Sequence, residues 1–162
     1  MRSHLVVSAI LALMAAGCRP SEEDVRRIVR EELQSAQQRQ AVTSRNVIGP
    51  YSPAVRVGGF LFVSGQIALD PATGTMKQDD IGTQTRQALE NLMTILRSQG
   101  YDSSDVVSAT VYMKNMKDYA AVNEVYAGYF PQGNYPARAA VEVAALPKQA
   151  NVEVSVIAYR HR

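Results

Sequence analysis

Two segments near the carboxyl end decide the fold: Tyr135-Pro-Ala-Arg138-Ala-Ala-Val-Glu-Val143 and Asn151-Val-Glu153-Val-Ser-Val-Ile-Ala158. Their β-forming residues predict two buried strands. One starts with an arginine and the other contains a glutamate, and charged side chains are seldom fully buried unless they are paired or functional. An arginine presents a planar set of donors suited to a carboxylate, and a glutamate can position a water or move a proton. We therefore expect Arg138 and Glu153 to carry the function.

A structural explanation of the same charges is a salt bridge from Arg138 to Glu142 or Glu153 at an interface. Glu142 lies an even number of residues from Arg138, so the two side chains share one face of the predicted strand. We expect Glu142 to be structural.

Histidine and cysteine are almost absent. Among the 162 residues, which carry 17 Lys and Arg against 15 Asp and Glu, the cysteine is Cys18 and the histidines are His4 and His161. This usage argues against a zinc site, a Ser-His-Asp triad and a cysteine nucleophile in the folded body. No basic stripe interleaved with aromatic residues is present, so nucleic-acid binding has no electrostatic support and no nucleic-acid partner is expected.

The amino terminus has the pattern of an export signal. A basic start precedes an apolar run over residues 5–16, which is too short for a membrane span of roughly 20 residues. It ends in Ala15-Ala-Gly-Cys18, which resembles a bacterial lipobox. We expect a lipoprotein signal peptide at 1–17, lipidation of Cys18, and anchoring to the periplasmic side of a bacterial membrane. Arg19, where an Asp would favour the inner membrane, points to the outer membrane. The alternative is an ordinary secretory signal with an incidental cysteine.

Residues 18–45 are expected to hold the lipid anchor and a helical tether. Ser21 can cap a helix that runs to about Gln40, followed by a linker at 41–46. The apolar face of this helix is narrow and comprises Val25, Ile28, Val29 and Leu33. It fits either a solvated tether or a short coiled coil between subunits, and Glu32 interrupts the heptad pattern in favour of the tether.

Residues 46–162 form one predicted domain of class α+β, with the element order β-β-α-β-α-β-β. Strands at 55–57 and 60–63 are joined through Gly58-Gly59, a strong hairpin signal. The helices are predicted at 79–99 and 117–130, and the later strands at 105–113, 138–143 and 152–159. With helices for only one face and apolar residues on both, the sheet is expected to bury its second face in an oligomer.

Five motifs in this domain resemble the RidA/YjgF family of enamine/imine deaminases over about residues 45–160. They are Ile48-Gly-Pro-Tyr-Ser52, Val63-Ser-Gly-Gln66, Gln84-Thr-Arg-Gln-Ala-Leu-Glu-Asn91, Tyr135-Pro-Ala-Arg138 and Val141-Glu-Val143. The resemblance implies a chorismate-mutase-like fold and a homotrimer, with the sheets packed into a central barrel and three clefts between subunits. It also implies hydrolysis of 2-imino acids such as 2-iminobutanoate and 2-iminopropanoate, or their enamine tautomers, to 2-oxo acids and ammonia, with no cofactor or metal.

The same resemblance suggests roles for individual residues. Arg138 would bind the substrate carboxylate through two parallel hydrogen bonds, and Glu153 would position the attacking water. The remaining expected site residues are Tyr51, Ser64, Gly65 and Asn123, which would line or support the cleft. The structural explanations are loop packing for Tyr51, turn stabilisation for Ser64 and a helix-to-loop hydrogen bond for Asn123.

Two departures from the family pattern leave other functions open. Ala139-Ala140 stands where many members carry Ser-Cys, and most of the family lacks an export signal. The alternatives to an enzyme are a non-catalytic module that binds small carboxylates and a holdase-like trimer, each anchored to the membrane.

Overall fold

The computed structural model describes residues 21–43, 48–77 and 79–161. The predicted signal peptide and Cys18 lie outside these residues. In the described ranges no helix is both long enough and apolar enough to cross a membrane.

The described chain forms one mixed sheet and three α-helices. In chain order these are α1 (Glu22–Gln37), β1 (Gln40–Val42), β2 (Ala54–Val57), β3 (Phe60–Gln66), α2 (Ile81–Ser98), β4 (Val106–Met113), α3 (Tyr119–Ala127), β5 (Ala137–Glu142) and β6 (Val152–Tyr159). The strands lie in the order β1-β2-β3-β6-β4-β5. Each neighbouring pair is antiparallel except β4 and β5, which are parallel because α3 lies on the crossover between them. The predicted α+β class is confirmed.

Local sequence signals account for most of these elements. Gly58 adopts φ +57, a conformation that favours glycine, and allows the tight turn between β2 and β3. Asp80 caps α2 by accepting a hydrogen bond from the backbone N–H of Thr83. Ser21 caps α1 in the same way, since its Oγ accepts from the N–H of Asp24. The turn after β3 closes through the N–H of Gly74, which donates to the carbonyl of Asp70.

The core lies between the sheet and helices α2 and α3. Period-two alternation sends Leu61, Val63, Val154 and Val156 to the helix side of the sheet. The helices cover them with Leu89, Leu92, Leu96, Val122 and Tyr126, all of them buried. Full burial of a leucine side chain stabilises the fold by about 2 kcal/mol. Buried Gln84 joins the layers, because its Oε1 accepts from the N–H of Asn151 just before β6.

The segment after the first helix was predicted wrongly. The helix ends at Gln37 rather than near Gln40, and residues 40–42 form the edge strand β1 rather than the start of a linker. The backbone of β1 pairs with β2, with Gln40 opposite Arg56. The free edge of β2 offers unpaired backbone groups, and a short polar segment satisfies them without an apolar pattern of its own. Residues 44–47 lie outside the described ranges.

Two other elements differ from the prediction. Strand β5 is not buried, because it lies at the edge of the sheet and its side chains alternate between half-buried and exposed. Helix α3 starts at Tyr119 rather than at 117, because Met116–Asp118 forms a 3₁₀ turn. The side chain of Asn115 caps that turn by accepting from the N–H of Lys117.

The sheet face opposite the helices, called the outer face here, is apolar and open. It carries Val57, Phe60, Phe62, Val141 and Tyr159, whose exposed fractions range from 37% to 44%. The Phe60 ring packs against the rings of Phe62 and Tyr159, with centroids 6.1 Å and 4.8 Å away. An exposed apolar surface of this kind is typical of an interface between proteins.

Candidate functional site

Arg138 is the second residue of β5 and points to the helix side of the sheet, where α3 holds it. Its Nη2 donates to Asn123 Oδ1 at 2.6 Å and to Tyr119 Oη at 3.3 Å. Its guanidinium carbon lies 4.5 Å from the centre of the Tyr126 ring and 5.7 Å from that of Tyr119. Guanidinium groups are stabilised over aromatic faces at such distances.

The three partners of Arg138 lie on one side of α3 because of their spacing. Tyr119, Asn123 and Tyr126 are four and then three residues apart, so they share a helix face. Asn123 was predicted to support the site, and the structure places it in contact with Arg138. Tyr119 and Tyr126 were not predicted as site residues. Their alignment with Asn123 on the helix was the available signal.

Every contact of Arg138 in the described residues is with a neutral group. It takes part in none of the ion pairs formed there. Its Nη1 and Nε have no hydrogen-bond acceptor among the described residues. Within one subunit, Arg138 therefore forms no salt bridge with Glu142 or Glu153. Glu142 instead accepts a hydrogen bond of 2.7 Å from the N–H of Met116 and holds the turn before α3.

Glu153 lies on β6 and faces the other side of the sheet. It borders an open hollow of about 440 Å³, with Tyr112, Leu146 and Ser155 also in its wall. Burial raises the pKa of the Glu153 carboxyl above its ordinary value. A carboxyl group with a raised pKa, next to a hollow that can hold a small molecule, is a candidate for accepting and returning a proton.

Gly65 makes room for that carboxylate. A Cβ at this position would lie 1.7 Å from Glu153 Oε1, closer than any real contact. The approach arises from a β-bulge, since Val63 pairs with Val156 and Gln66 with Val154, so that two residues of β3 oppose one residue of β6. Bulges of this kind redirect side chains next to functional sites. The structure therefore brings two predicted site residues, Gly65 and Glu153, into contact.

Ser64 is bonded to the loop before β2, which carries Tyr51. Ser64 Oγ donates to the carbonyl of Ser52 at 2.7 Å, and the N–H of Ser64 donates to the carbonyl of Pro53 at 2.9 Å. These bonds attach the loop that carries Tyr51 to the end of β3. The Tyr51 side chain is 45% exposed. Ser64 thus has a definite turn-stabilising role, as the structural explanation proposed.

Arg138 and Glu153 do not meet within the subunit. Arg138 of β5 pairs with Ala109 of β4, and Glu153 of β6 pairs with Tyr112 of β4. Three residues of strand separate these two positions on β4 by about 10 Å, and an odd separation puts the side chains on opposite faces. One subunit therefore presents the arginine with Asn123 on its helix side, and the glutamate with Gly65 on its outer face.

No group of three or more His, Cys, Asp or Glu side chains is placed to hold a metal ion in the ranges that the structure describes.

Comparison with known proteins decides the family. The family model described as endoribonuclease L-PSP matches residues 42–160. The chain belongs to this family, which is also known as RidA/YjgF. The match covers β2 to β6 and all the predicted site residues of the folded domain.

Named relatives of this RidA/YjgF domain include deaminases. A RutC family protein of Pyrococcus horikoshii is 53% identical over 113 residues, which is 70% of this chain and 89% of that protein. The 2-iminobutanoate/2-iminopropanoate deaminase of Mus musculus is 47% identical over 111 residues, 68% of this chain and 82% of the mouse protein. The crystal structure of E. coli TdcF with bound serine matches with a TM-score of 0.70 at 36% identity, over 75% of this chain and 99% of TdcF.

Proposed function

We propose that this protein hydrolyses 2-imino acids, or their enamine tautomers, to 2-oxo acids and ammonia. The observation that carries the proposal is the arginine whose contacts are all neutral. Arg138 is half-buried, fixed by an amide, a hydroxyl and two aromatic rings, and paired with no carboxylate among the described residues. A positive charge held in this way favours an anionic ligand, and the free Nη1 and Nε leave donors for it. The deaminase name of the mouse relative and the serine bound to TdcF support a small carboxylate as that ligand.

The chemistry needs little beyond positioning and one proton carrier. A protonated imine carbon is electrophilic, and Arg138 would hold the substrate by its carboxylate. Glu153 would accept a proton from a water as the water oxygen bonds to that carbon. The same proton would pass to the nitrogen. Ammonia would then leave as Glu153, again a carboxylate, takes the remaining hydroxyl proton and the carbonyl forms.

The proposed catalytic unit is a homotrimer, in which Arg138 of one subunit and Glu153 of another face one cleft. Two observations support sharing of the site. The two side chains lie on opposite faces of the sheet within one subunit, and the apolar outer face is open for association. Burying that face would exclude water from the reacting groups and strengthen their electrostatic interactions.

Turnover should depend on the charge of Arg138. An amino-acid oxidase would generate 2-iminopropanoate, semicarbazide would trap the free imine, and residues 21–162 should lower the trapped amount. Arg138→Ala should reduce kcat/KM by roughly a hundredfold or more, because it removes two charge-assisted hydrogen bonds.

Arg86→Ala is the matched control, because it removes an exposed arginine from α2, away from the site, and should leave turnover unchanged. Absence of turnover by a folded wild-type protein that still binds pyruvate through Arg138 would contradict the enzyme and favour the carboxylate-binding module. Equal behaviour of wild type and Arg138→Ala in both assays would leave the holdase-like trimer.

Gly65→Ala should damage catalysis more than folding. The new methyl group would lie 1.7 Å from Glu153 Oε1, 2.6 Å from its Cδ and 2.9 Å from its Cγ, so the Glu153 side chain must turn away while the backbone stays in place. We expect kcat to fall at least about tenfold, because a positioned acid–base group accelerates a reaction by roughly 10²–10⁴-fold and part of this acceleration is lost. The melting temperature should change little.

Gly128→Ala serves as the control for the glycine substitution. Gly128 has φ −74, and the nearest atom to its added Cβ would be 3.5 Å away, so its kinetics should match wild type. Wild-type kcat in Gly65→Ala would show that the position of the Glu153 carboxylate does not matter.

We further propose that the protein is an exported lipoprotein, anchored through Cys18 on the periplasmic side of a bacterial membrane, with the outer membrane favoured by Arg19. The support is the apolar run at 5–16 and the Ala15-Ala-Gly-Cys18 sequence. In a Gram-negative host fed an alkyne palmitate, the full chain should be labelled and sediment with membranes, and Cys18→Ser should be unlabelled. An unlabelled wild-type chain would exclude lipidation.

A further inference from the structure

Of the residues of α3 that contact Arg138 in the described structure, Tyr119 is the one whose hydroxyl group belongs to a solvent-exposed side chain. Its exposed fraction is 42%, whereas Tyr126 is 4% exposed and its hydroxyl is buried without a hydrogen-bond partner. The ring of Tyr126 supports the guanidinium from below, and the hydroxyl of Tyr119 lies at its rim. A ligand that reaches Arg138 from the solvent side therefore passes Tyr119.

The phenol oxygen of Tyr119 is already used as an acceptor. Arg138 Nη2 donates to it at 3.3 Å. The same nitrogen donates to Asn123 Oδ1 at 2.6 Å. The three side chains thus form one cluster, in which the guanidinium donates to both of the others.

A phenol has two acceptor lone pairs and one O–H donor. Because Arg138 has only donors and gives one of them to the Tyr119 oxygen, the phenol proton does not point at the guanidinium and is left for another acceptor. Nη1 and Nε of Arg138 have no acceptor in the described residues. The half-exposed cluster therefore offers an O–H donor and cationic N–H donors to an incoming anion.

We propose that the Tyr119 hydroxyl donates a hydrogen bond to the substrate carboxylate, beside the guanidinium of Arg138. This assignment rests on the proposed function, since it deepens the account of how the same site recognises its substrate. Tyr119 contributes to substrate affinity and selects for a carboxylate over an uncharged group. It takes no part in water attack or in release of ammonia, which belong to Glu153 across the cleft.

The protonation state of Tyr119 provides a signature of this role. Hydrogen bonds from Asn123 and Arg138, together with the Arg138 charge, hold the pKa of the phenol below its usual 10. The charged group that contacts the phenol is Arg138 from β5, and Lys117 and Asp118 precede it along the chain. Above its pKa the phenolate has no proton to donate, pairs with Arg138 itself and repels an incoming carboxylate. Carboxylate affinity should therefore fall as pH rises through that pKa.

The test compares Tyr119→Phe with wild type, Arg138→Ala and Tyr129→Phe. Tyr119→Phe keeps the ring beside Arg138 and removes only the hydroxyl. Tyr129→Phe removes a hydroxyl that donates to Glu90 Oε1 at 2.7 Å, away from Arg138. Two readouts are used: kcat and KM with 2-iminopropanoate, and the dissociation constant of pyruvate by calorimetry between pH 7 and 10.

In Tyr119→Phe we expect KM for the imine and Kd for pyruvate to rise roughly tenfold, because one hydrogen bond to a charged group is lost. The kcat of this variant should stay within about twofold of wild type. Pyruvate binding to wild type should weaken as pH rises toward 10, and pyruvate binding to Tyr119→Phe should not weaken in this way. Tyr129→Phe should keep the wild-type kcat, KM and Kd and the wild-type pH dependence of pyruvate binding.

Unchanged KM and Kd in Tyr119→Phe, alongside the expected loss in Arg138→Ala, would overturn the role of Tyr119 and leave the deaminase proposal standing. A fall in kcat at unchanged KM would also overturn it, because it would make Tyr119 a proton donor in the reaction. Loss of the folded state in Tyr119→Phe alone would show a structural role and overturn it too. If wild type shows neither turnover nor pyruvate binding, the proposed function itself fails.

Discussion

The pairing of β4 with β5 on one side and β6 on the other is the constraint on which the site depends. Because side chains alternate along a strand, the register fixes the face on which each residue of β5 and β6 lies. With Arg138 level with Ala109 and Glu153 level with Tyr112, the cation and the carboxylate are held apart within the subunit. A slip of one residue in the β4–β5 pairing would turn Arg138 away from α3, and a slip of one residue in the β4–β6 pairing would turn Glu153 toward the core.

This separation explains why Arg138 can keep its charge available. A carboxylate within reach would pair with it, and the site would be neutral before substrate arrived. Instead the guanidinium is held by Asn123, Tyr119 and the ring of Tyr126, which fix its orientation without cancelling its charge. Glu153, on the other face, has a raised pKa because burial disfavours its charged form.

Much of the fold could be predicted from the sequence, because its signals are local. Apolar periodicity located α2 and β6, and Gly58-Gly59 located the β2–β3 hairpin. Strand β1 could not be found in this way, since Gln40–Val42 has no pattern of its own and forms only because β2 offers a free edge.

The sequence named candidate residues but not their arrangement. Arg138 and Gly65 lie in the quoted motifs, Glu153 was noticed as a charge inside an apolar strand, and Asn123 came from the family resemblance alone. The opposite faces of Arg138 and Glu153 depend on pairings between β4 and strands distant in sequence, and the role of Tyr119 depends on how α3 packs over β5. Neither pairing nor packing leaves a local signal.

In the proposed trimer, one catalytic cleft uses Arg138 of one subunit and Glu153 of another. Co-expression of Arg138→Ala and Glu153→Gln chains, each inactive alone, tests it directly. In randomly mixed trimers about a quarter of the clefts would combine an intact arginine with an intact glutamate, so the mixture should recover about that fraction of wild-type turnover. A mixture that assembles into trimers yet stays as inactive as its two parents would contradict the shared site.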